Sequence, residues 1–105
     1  ADVISGADPV KVTQDKIFNA VARKYGVTVE DIRGKRRTRE IAQARHVCIY
    51  IMRTVTDLSL PSIGRVFNRD HTTILSSVDT IAEKIREDAS LENDIEDLIK
   101  EITNR

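Results

Sequence analysis

The chain has 105 residues, 40% apolar but only 4% aromatic, and its 17 basic and 17 acidic side chains cancel. That length supports one hydrophobic core, built from Ile, Val, Leu and Ala rather than from rings, and not two. Charged residues at 32% and no apolar run near the ~20 residues of a bilayer span exclude a membrane protein.

Apolar spacing reads as helix nearly throughout. The first helix runs from about Gln14 to Tyr25, with Ile17, Ala20, Val21 and Lys24 on one stripe and Gly26 as its stop. Residues 1–13 ahead of it read as a linker or vector-derived segment, and 14–105 as one domain. Val27 to Ile32 reads as a short helical turn capped by Thr28, which Gly34 ends. A loop, Lys35 to Thr38, leads into a long helix from about Arg39 to Thr56. Its buried face is Ala44, Val47, Cys48, Ile51, Met52 and Val55, at helical spacing. Arg45 and Arg53, eight residues apart, lie on another face and are expected to project together toward one long ligand.

Ser59-Leu60-Pro61 opens a short helix with Ile63, Val66 and Phe67 inward, Pro61 suiting its first helical position. Asn68 supplies the turn that follows, since Asn tolerates left-handed backbone. Asp70 caps a longer helix with the stripe Ile74, Val78, Ile81, Ala82 and Ile85. The last helix starts near Ser90 and buries Leu91, Ile95, Leu98 and Ile102. No β alternation appears, which makes the fold class all-α.

The zero net charge hides a segregation. Residues 33–53 hold seven basic groups against Glu40 alone, whereas residues 79–105 hold nine acidic groups against four basic ones. A local basic patch attracts polyanions whatever the total charge, because screening cuts off interactions beyond ~10 Å. On composition alone the patch could equally be a solvated loop.

Catalytic signatures are missing: no glycine-rich phosphate loop, no paired cysteines, no His-Glu-x-x-His. Cys48 lies on an apolar stripe and reads as a core residue. As the only cysteine it forms no internal disulfide, in keeping with a reducing cytoplasmic compartment. No enzyme is expected.

The informative stretch is Ser59 to Ile85, a short helix, a tight turn and a longer helix with a polar first turn. That is the helix-turn-helix pattern, whose second helix sets its N-terminal residues against base edges. Its leading residues are Arg69, Asp70, His71, Thr72 and Thr73. Arg can fork onto guanine, Asp can accept from cytosine and a threonine methyl can meet the thymine methyl. Asp70 could also be an N-cap and nothing more, and His71 an ordinary surface residue.

Two runs, Ser59-Leu60-Pro61-Ser62-Ile63-Gly64 and Phe67-Asn68-Arg69-Asp70-His71-Thr72-Thr73-Ile74, closely resemble the signature of a known family. It is the C-terminal DNA-binding domain of the bacterial chromosomal replication initiator DnaA. The resemblance extends upstream through Lys35-Arg36-Arg37-Thr38-Arg39 and Ala42 to Arg45. It implies a compact domain of about six helices with a Trp-repressor-like helix-turn-helix. It also implies binding of double-stranded DNA at short asymmetric origin boxes. By position, Lys35, Arg36 and Arg37 form the basic loop, from which Arg37 enters the minor groove. Arg45 and Arg53 contact phosphate, Leu60 and Pro61 approach the backbone, and Arg69, Asp70, His71, Thr72 and Thr73 enter or clamp the major groove. No cofactor belongs to these residues, because the family binds ATP in a separate domain. The implied partners are origin DNA and regulators of initiation, at the nucleoid, with the isolated domain a monomer.

Two departures stand out. The family usually has one or two glycines where this chain has only Asn68. It also has His-Ala and later Lys-Ile where Ser76-Ser77 and Thr80-Ile81 stand here, which weakens contacts expected from that half of the helix. Two rivals remain: a helix-turn-helix transcriptional regulator, and a protein-interaction module working through the acidic last helix.

Overall fold

Among the described residues, most helix ends are set by a side chain or a backbone turn that the local sequence supplies. The structure, a computed structural model, describes residues 14–103, so segment 1–13, read above as a linker, lies outside the described residues. Helix α1 (Gln14–Tyr25) stops at Gly26, whose φ of 66° lets the Val27 amide donate back to the Ala22 carbonyl at 3.0 Å. Helix α2 (Val29–Arg33) starts with a capping box: Thr28 Oγ1 accepts from the Asp31 amide at 2.9 Å, and Asp31 reaches back to the Thr28 amide. Thr38 caps α3 (Arg39–Val55), Ser59 caps α4 (Leu60–Phe67) and Asp70 caps α5 (His71–Glu87). Asp88 accepts from the Leu91 amide at the start of α6 (Ala89–Thr103). Among the described residues there is no strand.

The core follows from these stripes. Helix α3 is central and packs on each of the other five helices, burying Ala44, Val47, Cys48, Ile49, Ile51 and Met52. Its buried face is wider than the spacing predicts, since Ile41, Arg45 and Ile49 are buried as well. Helix α6 contributes Leu91, Ile95, Leu98 and Ile102 as expected. Its acids Asp94 and Glu101 pair with Lys24 and Arg23 of α1. Phe18 of α1 and Phe67 of α4 meet with ring centroids 5.3 Å apart at 46°, a tilted pairing that aromatic quadrupoles favour.

The connection between α4 and α5, residues 68–70, turns on one left-handed residue, Asn68, at φ 55° and ψ 47°. The next amide, that of Arg69, donates back to the Gly64 carbonyl at 2.8 Å. This closes the α4 end as a glycine would, with Asn bearing the left-handed conformation. The α4–turn–α5 unit is the expected helix-turn-helix.

Candidate nucleic-acid interface

Lys35, Arg36 and Arg37 stand exposed on the loop between α2 and α3. Four cations, Arg33, Lys35, Arg37 and Arg69, line a cleft of about 350 Å³ together with Phe67 and Asn68. A neighbouring groove brings Pro61, Arg69, Asp70 and His71 together. Arg69 is shared by the two, so the loop and the helix-turn-helix form one continuous surface.

Arg45 departs from the expectation that it projects with Arg53. Only 7% of it is exposed. Its Nε donates to the Ile32 carbonyl at 2.8 Å, and its Nη2 donates to the carbonyls of Asp31 at 2.8 Å and Arg36 at 2.9 Å. The cause is the end of α2. Carbonyls in a last helical turn have no partner within the helix, and a guanidinium offers several donors in one plane. Burial lowers the pKa of Arg45, as do the charges of Arg69 and Arg37, with Asp31 opposing.

Arg69 also turns inward. Its Nη1 donates to the Phe67 carbonyl at 2.9 Å and its Nη2 to the Gly34 carbonyl at 2.8 Å. The fork expected to face guanine is therefore engaged with backbone. Arg53, at the other end of α3, is exposed and donates to the Leu58 carbonyl at 2.9 Å. That bond braces the segment leading into α4, where Leu60 is half-buried and Pro61 exposed.

Asp70, His71, Thr72 and Thr73 are all exposed where α5 begins. Asp70 Oδ1 accepts from the Thr73 amide at 3.0 Å and from the Thr72 hydroxyl at 2.6 Å. The Thr72 bond first, then those from Thr73, hold the Asp70 carboxyl below its ordinary range. Asp70 is thus an ionised N-cap, and Thr72 is left to meet a partner with its methyl and the acceptor side of its oxygen. Farther along α5, Ser76 is exposed and the Thr80 hydroxyl donates to the Ser76 carbonyl at 2.8 Å.

Ser77 is not a surface position at all. It is 3% exposed, and its hydroxyl pairs with Nδ1 of His46 on α3 at 2.9 Å. The sequence had signalled this, because Ser77 falls at i+3 from Ile74 and i−4 from Ile81 on the buried stripe. Two surface residues were not singled out from sequence. Arg33 lies over the Phe18 ring, 5.4 Å from its centroid. Leu75 is the one large apolar side chain left exposed among the described residues, at 44%. No composition rule flags either one, since Arg33 depends on how α2 meets α1 and Leu75 on which face α5 turns outward.

A helix-turn-helix whose second helix opens with an exposed polar turn, beside a cleft lined by four cations, defines a DNA-binding domain. Residues 14–81 match the family model described as the bacterial dnaA protein helix-turn-helix. The chain belongs to that family, and the function that follows is DNA binding in replication initiation. Among the described residues no helix is long and apolar enough to cross a membrane.

Proposed function

We propose that the chain binds short, asymmetric duplex boxes at a replication origin, with the start of α5 in the major groove and Arg37 in the adjacent minor groove. The observation that carries this reading is the single surface joining the free polar start of α5 to the exposed cations of the loop. His71, Thr72 and Thr73 meet base edges or the groove wall, while Asp70 holds the helix start and keeps its charge. The unpaired amides of that first turn add a site for phosphate. Lys35, Arg36 and Arg53, with Leu60 and Pro61 at the start of α4, lie against the backbone. One asymmetric box needs no two-fold partner, so the domain acts as a monomer. It works at the nucleoid without a cofactor of its own, ATP being bound elsewhere in a full initiator.

The test separates reading from holding. A duplex enriched by this chain from a random library, and a scrambled copy, are titrated at fixed salt with two variants. Thr72→Ala is expected to cost about 1–3 kcal/mol on the enriched duplex and little on the scrambled one. Arg53→Ala should weaken both by similar factors, because phosphate contacts position without reading sequence. Equal loss on both duplexes from Thr72→Ala would defeat the major-groove assignment.

A further inference from the structure

The basic loop carries three consecutive cations, yet its backbone is held by two more. Arg45, rooted in α3, takes the carbonyls of Asp31, Ile32 and Arg36, and Arg69, in the turn before α5, takes that of Gly34. Four carbonyls between residues 31 and 36 are thereby occupied by guanidinium groups from two different elements. Gly34 leaves no room for a side chain, since a Cβ built there would lie 2.9 Å from the Glu30 carbonyl oxygen. The loop therefore leaves α2 with its backbone close against that helix. Like charges on a short loop repel one another and favour an open, mobile chain. Bonds to charged donors are stronger than neutral ones, and these are spent on backbone, leaving the loop's own side chains outward.

We propose that Arg45 and Arg69 are positioning residues that clamp the loop from α3 and from the helix-turn-helix, so that Arg37 is held at a set distance from the start of α5. Arg69 is the more telling member. It belongs to the motif that enters the major groove, but its fork reaches across 35 positions of sequence to the loop. Through it, the minor-groove and major-groove contacts become one rigid reading head instead of two independent ones. A loop ordered before binding pays less entropy on binding than one ordered by DNA. The proposal rests on the reading given above for Arg37 and α5.

The test is a double-mutant cycle between Arg69→Lys and Arg37→Ala on the enriched duplex, with hydrogen exchange measured on the free chain. Lysine keeps the charge but cannot bridge the Phe67 and Gly34 carbonyls together. Arg69→Lys is expected to weaken binding about tenfold in the parent and under threefold in the Arg37→Ala background, since coupled residues are not additive. Its salt slope should stay that of the parent, and the amides of residues 35–38 should exchange faster while those of α3 do not. Additive losses with unchanged loop exchange would show that Arg69 touches DNA directly and would overturn the clamp. If Arg37→Ala alone binds like the parent, the failure lies instead with the minor-groove reading on which the clamp depends. Arg45→Lys provides the second arm. Faster exchange of residues 31–38 with a retained cooperative melt supports the clamp, and unchanged exchange there counts against it.

Discussion

The carbonyl oxygen of Arg69 lies 2.5 Å from the point where a Cβ on Gly64 would stand. The same two residues share a backbone hydrogen bond of 2.8 Å. Helix α4 and the entry to α5 therefore touch backbone to backbone, and only glycine leaves space for it.

Gly64→Ala is expected to destabilise the fold by about 1–3 kcal/mol, the cost of forcing an atom into a packed contact. The obstacle is backbone and not the end of a flexible side chain, so relaxation must move the turn itself. Chemical denaturation of the variant beside the parent measures it, and an unchanged midpoint would contradict the contact.

Asn68 offers the complementary case. Its left-handed backbone makes Asn68→Ala destabilising, because alanine keeps the Cβ that this region disfavours and loses the short polar side chain through which Asn tolerates it. Asn68→Gly should be neutral or mildly stabilising by thermal melting, and thus restores the residue usual in the family without loss of the turn.

Binding should weaken steeply with salt although the chain is neutral overall. Lys35, Arg36, Arg53 and the α5 N-terminus give about four phosphate contacts, hence a log–log slope of about −4. Titrations between low and moderate salt give the slope directly, and a value near zero would remove the basic loop from the interface.

His46 sets a pH dependence of stability. Burial, then the charges of Lys84, Arg45 and Arg69, push its pKa below the ordinary 6.5. The unfolded chain therefore takes up this proton first as pH falls. The stabilising contribution is complete above pH 6.5 and is lost as pH drops through the lowered folded-state value. The melting temperature should decline over that window, and His46→Gln should decline less. Parallel profiles for the two would place the dependence on other groups.

Cys48 is wholly buried, and burial raises its thiol pKa far out of the reactive range. A thiol-specific reagent should label it only as fast as the native core opens. Labelling within seconds under native conditions would show that the helices packed on α3 are not closed over it.

Local rules carried the sequence reading a long way. Gly26 as a stop, Thr28 and Asp70 as caps, and Asn68 as a left-handed turn are each decided by residues within five positions, and each stands where expected. Arg45 was legible as a helical residue but not as a buried one. Periodicity gives its angle on α3 and says nothing of carbonyls 9, 13 and 14 positions away that face it. Arg69 went the same way, its fork turned to Gly34 by a contact 35 positions distant. Side-chain identity near a binding surface shows what a residue could touch. Which partner it takes is a matter of tertiary docking.

The Phe18–Phe67 pairing has a consequence for orientation. Phe67 is the last residue of α4, immediately before the left-handed Asn68, and its ring rests on α1. The pivot of the recognition motif is thereby registered against the first helix as well as the third. In the complex proposed above, α1 takes up a fixed bearing relative to the duplex axis. The polypeptide enters that helix at Gln14 along a heading set by the DNA, as a signpost arm is set by its pole.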